Sequence, residues 1–190
     1  MIEDYKKMEL FGKSLMQRIV LKPPFKYDFP VAEQACFLFV RQGAFAYHIN
    51  DESINIATNY SLLLNCIHSG QQLQHTQSKN TCEVVIVTFH PEILKKVYDR
   101  ELPPILQHSQ KPITNKSSEK INNDFLIQKY IEGLLFYFEN PMLVNEDILI
   151  LKLKEVILLL SQTQNAATIQ VILSQLFSPT VYTFKQIIVA

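Results

Sequence analysis

The order of its two halves is the feature that most constrains how this sequence can fold. Residues 31–98 contain short runs of β-branched and aromatic residues separated by turn signals, which is the pattern of β-strands. Residues 118–177 instead carry apolar residues at helical spacing. Strands followed by helices, rather than alternating with them, predict an α+β fold and argue against a doubly wound parallel sheet.

The strands predicted in the first half are short and succeed one another about every ten residues, which is typical of an antiparallel barrel, sandwich or jelly roll. Pro91 ends the last of them, and residues 92–98 have room for one or two helical turns. The predicted strands span residues 35–41, 44–50, 53–57, 60–67, 71–76 and 83–89.

The second half predicts a bundle of about three helices. Asn145 is a suitable N-cap for the second of them, and Glu146 suits the positive end of the helix dipole. Asn140 and Pro141 form a stop signal for the first. The predicted helices span about residues 118–139, 145–161 and 165–177.

The second predicted helix is apolar on more than one side. A wide arc centred on Leu153 suits the core of its own domain, whereas Leu151 and Leu158 lie on another side. Either the third helix or a second chain has to cover that side. We predict a homodimer in which the interface residues are Ile148, Leu151, Lys154, Glu155, Leu158 and Leu159.

Charge and cysteine usage exclude several classes of protein. The chain has 18 Lys and Arg residues against 18 Asp and Glu residues, so it lacks the basic excess of a nucleic-acid or anionic-membrane binder. No secretory signal or membrane span is evident, and the three cysteines have no Cys-x-x-Cys spacing. We therefore expect a cytoplasmic protein with reduced thiols and no membrane association.

Motifs for catalysis are missing from the sequence. Metal-binding cupins, which are small β-barrels, use a His-x-His pair with a Glu and a later His, but no two histidines here are two residues apart. There is also no nucleophile elbow and no glycine-rich phosphate loop. We predict no catalytic residues, no metal and no cofactor.

Aromatic side chains on the predicted strands are the best candidates for a binding site. They either fill the interior or line a pocket for a small apolar effector, and the sequence leaves both interpretations open. The candidate pocket residues are Phe37, Phe39, Phe45, Tyr47, His68 and Phe89.

The helical half resembles the N-terminal domains of AraC-type transcription regulators. The segments that carry the resemblance are residues 128–141, 148–160 and 173–179, and the strand segment from Phe37 to Phe89 is similar in kind. The resemblance implies a cupin-like antiparallel β-barrel or jelly roll, followed by helices that dimerise. It divides the chain into a cupin-like part (1–117), a helical dimerisation segment (118–179) and the start of a linker (180–190).

The function that this resemblance implies is regulation of transcription by a bacterial, non-enzymatic protein. The domain would sense a small-molecule effector or a regulatory protein, and DNA would be bound only through a C-terminal helix-turn-helix domain that is absent from this chain. Two other functions stay open at this stage. One is a cupin-type metal-dependent isomerase or dioxygenase, and the other is a protein-binding module with a filled barrel.

Overall fold

Two antiparallel sheets face each other in this computed structural model, and the helices cover the outer face of the larger sheet. The structure describes residues 2–29, 31–49, 51–67, 70–75, 80–107 and 117–177. The strands are β1 (Ile2–Leu10), β2 (Lys13–Leu21), β3 (Phe25–Asp28), β4 (Ala35–Gln42), β5 (Ala44–Ile49), β6 (Glu52–Ala57), β7 (Tyr60–Asn65), β8 (Gln71–His75), β9 (Cys82–Phe89) and β10 (Ser118–Asn122).

The larger sheet has the strand order β1-β2-β9-β4-β7-β10, and the smaller sheet has the order β3-β8-β5-β6. Among the described residues neither sheet closes on itself or joins the other, so the arrangement is a jelly roll rather than a closed barrel. Gly43 makes the crossing from β4 to β5, where its φ of +87° and the Thr81 carbonyl oxygen, 2.9 Å from where a Cβ would lie, leave no room for a side chain.

The helices begin and end at the signals that the sequence contains. The Asp124 side chain accepts a hydrogen bond from the Ile127 amide at 2.9 Å, and Asn145 does the same for the Ile148 amide at 2.9 Å. The helices are α1 (Pro91–Tyr98), α2 (Phe125–Glu139), α3 (Glu146–Ser161) and α4 (Ala166–Ser174), with short 3₁₀ turns at Pro104–Leu106, Pro141–Leu143 and Gln175–Phe177.

Two hydrophobic cores lie on opposite faces of the larger sheet. The helix-facing core lies between this sheet and the helices; its sheet residues include Phe37, Phe39, Leu63, Val85, Val87 and Phe89, and its helix residues include Ile127, Tyr130, Leu134, Leu149, Leu153, Val156, Leu160, Ile169 and Leu173. The inter-sheet core lies between the two sheets and includes Cys36, Leu38, Val40, Phe45, Tyr47, Ile49, Ile56, Leu62, Leu64, Cys66, Leu73, Cys82, Val84 and Ile86.

The start of the first predicted helix was wrong. Residues Ser118–Asn122 form the edge strand β10, which pairs with β7, and α2 begins only at Phe125. Ile121 is fully buried in the helix-facing core, so tertiary pairing outweighs the helical spacing of this segment. The polar residues 108–116 that precede this strand lie outside the described residues.

The N-terminal hairpin formed by β1 and β2 was missed by the sequence analysis. Its turn is Phe11 and Gly12, and both have positive φ angles. Arg18 ties the hairpin to the sheet, because its Nε donates to the buried Glu83 carboxylate at 2.6 Å. Arg41 donates to the second oxygen of Glu83, also at 2.6 Å, so the carboxylate has a cation on each side.

Candidate functional site

The aromatic residues that we predicted as one pocket are divided between the two cores. Phe37, Phe39 and Phe89 lie in the helix-facing core, so they do not line the space between the sheets. Phe45 and Tyr47 do lie in that space. His68 lies outside the described residues. Strands β4 and β9 are buried on both faces, and for this reason a continuous apolar run does not reveal which alternate residues face the interior.

The inter-sheet space contains two buried polar atoms without a hydrogen-bond partner among the described residues. They are the Tyr47 hydroxyl and the Gln71 Oε1, on side chains that are 0% and 1% exposed. Gln71 pairs with Ile49 across β5 and β8, which puts it on the same sheet face as Tyr47. Its Nε2 donates to the Asn65 carbonyl oxygen at 2.5 Å, leaving Oε1 free to accept.

Unpartnered buried groups of this kind are uncommon, since each costs about 1–3 kcal/mol of stability. Ser14 Oγ and Asn123 Nδ2 are two further examples, but they do not belong to the inter-sheet core. Burial raises the pKa of Tyr47 above its ordinary value, and an interaction with the neighbouring Ser118 side chain lowers it by less, so the hydroxyl stays protonated and can donate.

A groove of ≈ 430 Å³ lies at the start of β5 and the end of β6, beside the last residues of β8. Phe45 and Ile56 are near it, but Ala46 pairs with Asn55 and Gln74 on the sheet face opposite to Tyr47, so the groove lies on the outer face of the smaller sheet. Its volume is within the range of small-molecule sites. The remaining lining residues are small or polar: Ala44, Ala46, His48, Asn55, Ala57, Gln74 and His75.

Helix α3 presents an exposed apolar strip on the side away from the core. Leu151 and Leu158 are 62% and 59% exposed, whereas Leu153 is fully buried, as the helical wheel predicts. The other predicted interface residues frame this strip. Lys154 and Glu155 are exposed, and Ile148 and Leu159 are half-buried.

The contact between α2 and α3 fixes the orientation of that strip. The Tyr130 hydroxyl donates to the Lys152 carbonyl oxygen at 3.1 Å, and the Lys152 side chain passes over Gly133, which has no side chain to obstruct it. Lys152 then pairs with Glu155 at 2.7 Å on the solvent side. Because Lys152 faces α2, Leu151 and Leu158 are directed away from it toward solvent.

Residues 35–171 match the sequence model of the family described as the ExsA N-terminal regulatory domain. The match spans most of the chain, from the start of β4 into α4. The chain belongs to this family. It is an effector-sensing regulatory domain of the AraC type, as the resemblance of its helical half predicted.

Solved structures of ToxT from Vibrio cholerae share the fold of this regulatory domain. ToxT with an unsaturated fatty acid bound is 12% identical with a TM-score of 0.52, and the match covers 78% of this chain and 54% of ToxT. ToxT bound to (E)-4-(8-methylnaphthalen-1-yl)but-3-enoic acid is 15% identical with a TM-score of 0.50, covering 78% and 57%. The regulatory domain thus spans just over half the length of these structures. No curated protein sequence matches it significantly.

The comparisons confirm the predicted cupin-like α+β fold, which takes the jelly-roll form. The family that matches is described as a regulatory domain. Across the described ranges no three His, Cys, Asp or Glu side chains are grouped so that they could hold a metal ion. No helix in the described part of the chain is long and apolar enough to cross a membrane.

Sequence reasoning missed the polar groups of the regulatory domain's interior. Gln71 follows a glycine in a short polar strand, and nothing in that pattern indicates a buried side chain. Asn65 was likewise unmarked, although its Nδ2 donates to Gln175 Oε1 at 2.9 Å and so connects β7 to the last helical turn. Both depend on strand pairing and helix docking, which local spacing does not encode.

Proposed function

We propose that this regulatory domain binds a small, mainly apolar effector with one polar end in the space between its two sheets. The observation that carries the proposal is the Tyr47 hydroxyl, which is fully buried and makes no hydrogen bond of good geometry among the described residues, with the Ser118 side chain as its polar neighbour. The surrounding side chains are apolar, so they suit an apolar body, while Tyr47 can donate to an oxygen at the polar end.

The chemistry of ligands found with the same fold supports this choice. The titles of two ToxT structures name an unsaturated fatty acid and a naphthalenyl butenoic acid, both of them carboxylic acids with a large apolar part. A carboxylate accepts hydrogen bonds strongly, and a buried neutral tyrosine is a suitable donor for it. We therefore extend to this domain the class of apolar carboxylic acids.

The test is a binding titration with a cis-unsaturated long-chain fatty acid, followed by the change in intrinsic tyrosine fluorescence and by native mass spectrometry. We expect saturable binding at one site and a loss of affinity of about ten- to a hundredfold in Tyr47→Phe, since one charge-assisted hydrogen bond contributes about 1.5–3 kcal/mol. The matched control is Tyr60→Phe, which removes the same hydroxyl from a side chain that is 36% exposed. Equal affinity in both variants would disprove the role of Tyr47.

A second part of the proposal concerns dimerisation through α3. An antiparallel pair of α3 helices with a twofold axis midway between residues 154 and 155 puts Leu151 against Leu158 of the partner subunit. The same axis brings Lys154 beside Glu155 of the partner subunit, so the charges at the edge are complementary. Support comes from the exposure of both leucines, which a second chain would remove from water.

Replacing Leu151 and Leu158 together with Glu should give a folded monomer, because four carboxylates would meet in the seam. Multi-angle light scattering measures the mass, and circular dichroism measures the helix content. The matched control is Leu126→Glu with Leu143→Glu, which adds the same charge at leucines that are 50% and 56% exposed on other elements. A wild-type chain that is monomeric at micromolar concentration would refute the dimer.

The whole regulator would be a cytoplasmic protein and would bind DNA through a separate helix-turn-helix domain. The balanced charge of the regulatory domain supports the assignment of DNA binding to that other domain. In a gel-shift assay at physiological salt, we expect the chain alone to show no preference for one DNA sequence over scrambled competitor. The effector would act by having different affinities for two arrangements of the sheets and helices.

A further inference from the structure

Two cysteine thiols meet at one end of the inter-sheet core. Cys36 on β4 and Cys66, immediately after β7, have their sulfur atoms 3.5 Å apart. Both are free thiols, and their residues are 4% and 1% exposed. A disulfide bond is ~2.05 Å long, so closing the pair requires an approach of roughly 1.5 Å.

The Cys36 sulfur is surrounded by groups that can hydrogen-bond to it. Besides the Cys66 thiol, the Thr88 hydroxyl and the Gln34 Nε2 each lie 3.9 Å from it. Thr88 stands directly opposite Cys36 in the β4–β9 ladder, so the sheet itself holds this neighbour in place. Three hydrogen-bonding neighbours favour the thiolate, which is the form that reacts with oxidants.

We propose that Cys36 and Cys66 are an oxidation site, at which a hydroperoxide converts the two thiols into a reversible disulfide. In the first step the Cys36 thiolate attacks one peroxide oxygen, the O–O bond breaks, and the sulfur becomes a sulfenic acid while an alcohol or water leaves. In the second step the Cys66 sulfur displaces the sulfenic oxygen as water and loses its proton. The two thiols are oxidised by two electrons and the peroxide is reduced by two.

The neighbours of the two sulfur atoms assign the roles. Thr88 and Gln34 lie beside the Cys36 sulfur, and the hydrogen bond from the Cys66 thiol lowers the pKa of Cys36 below its ordinary value. Cys36 is therefore the thiol that reacts first, and Cys66 is the one that resolves the sulfenic acid. Proximity then favours the second step over further oxidation.

Cys82 provides an internal reference for this chemistry. It is fully buried in the same inter-sheet core, but burial raises its pKa to about 11. Cys36 and Cys82 are thus shielded from solvent to a similar degree and differ in their hydrogen-bonding neighbours. We expect the Cys36–Cys66 pair to lose its thiols at least on the order of tenfold faster than Cys82.

The bridge would lie beside groups that the proposed effector site and the helices use. Cys66 follows Asn65, whose carbonyl oxygen accepts from Gln71 and whose side chain donates to Gln175. Oxidation of the pair would therefore constrain the chain at the point where the inter-sheet space and the last helical turn meet. This inference does not rest on the proposed effector, because the disulfide forms with or without a ligand.

The experiment treats the reduced, folded full chain with hydrogen peroxide, alkylates the remaining thiols, and maps the peptides without reduction. We expect a peptide linked through Cys36 and Cys66, alkylated Cys82, and complete reversal by dithiothreitol. In Cys66→Ser, Cys36 should instead be trapped as a sulfenic acid by dimedone. The matched control, Cys82→Ser, should give the linked peptide at the wild-type rate.

Oxidation of Cys82 as fast as the pair, or disulfides that join Cys82 to either of the others, would overturn the proposal. So would a pair that stays reduced at peroxide exposures that oxidise free cysteine. If Cys66→Ser loses its native circular dichroism, the wild-type map with Cys82 as the reference decides alone.

Discussion

Two buried tyrosines show how differently the two cores are built. Tyr130 in the helix-facing core is 1% exposed and donates its hydroxyl hydrogen to the Lys152 carbonyl oxygen at 3.1 Å. Tyr47 in the inter-sheet core is 0% exposed, and its hydroxyl makes no hydrogen bond of good geometry in the described part of the chain, although the Ser118 side chain is near enough to lower its pKa. The first hydroxyl holds two helices together, whereas the second is less fully satisfied. In the proposed function, the helix-facing core is the scaffold and the inter-sheet core is where the effector would bind.

The largest expected effect comes from the scaffold. Leu153→Glu would bury an unpaired carboxylate in the helix-facing core, and we expect a loss of stability on the order of 4 kcal/mol or more. Leu151→Glu on the same helix should cost little, because that side chain is 62% exposed. Thermal unfolding followed by circular dichroism compares the two. A cooperative, native-like transition in Leu153→Glu would show that α3 is not part of the scaffold.

Replacing each of the two tyrosines by Phe should change the free energy of unfolding by a smaller amount, and in different directions. Tyr130→Phe removes a hydrogen bond between α2 and α3 and should lower the free energy of unfolding by about 0.5–1.5 kcal/mol. Tyr47→Phe removes a hydroxyl that makes no hydrogen bond of good geometry and has only the Ser118 side chain as a named polar neighbour, so stability should stay the same or rise. Urea unfolding of both variants without ligand measures the difference. A loss in Tyr47→Phe as large as in Tyr130→Phe would mean that Tyr47 does have a structural partner.

The smallest expected effect concerns pH and the edge of the helix-facing core. Burial lowers the pKa of His90 below its ordinary value of 6.5. The hydrogen bond between its Nε2 and the Ser14 carbonyl oxygen, at 2.9 Å, raises this pKa but by less. Lys13 is the nearby cation that also lowers this pKa. The unfolded chain binds the proton first as pH falls, so His90 destabilises the fold as pH drops below its ordinary pKa and has no effect above it.

His90→Gln should therefore flatten the decline in stability between about pH 7 and about pH 5. Urea midpoints at several pH values measure this slope. His48→Gln is the matched control, since His48 is a half-buried histidine on the smaller sheet. The same slope in wild type and His90→Gln would remove His90 from the explanation of any acid sensitivity.

Local patterns predicted most of the secondary structure. Period-two alternation over Ser53 to Ala57 and the apolar run before Pro91 mark strands that the structure confirms. The wheel of α3 correctly separated the buried Leu153 from the exposed Leu151. The errors occurred where a segment depends on a distant partner. The strand Ser118–Asn122 pairs with β7, and the hairpin strand β2 pairs with β9, far along the chain.

The candidate site was predictable only in part. In strands that are buried on both faces, the sequence does not show which alternate residues face which core. Phe37 and Phe45 both belong to apolar strand patterns, yet the larger sheet directs Phe37 toward the helices, while the smaller sheet directs Phe45 inward. The α3 strip was easier to predict, because the helical period places Leu151 and Leu158 on a different side from the buried arc around Leu153.

The amino-acid sequence by itself determined the order of strands and helices, the N-cap Asn145, and the apolar strip of α3. These follow from the conformational preferences of neighbouring residues and from spacing within one element. Only the tertiary structure decided that α2 begins after Asp124, which core each aromatic residue enters, and that Cys36 lies 3.5 Å from Cys66. The physical reason is that sheet pairing and helix docking bring together residues that are distant in the sequence, and the free energy that selects those contacts comes from burying surfaces that no local pattern contains.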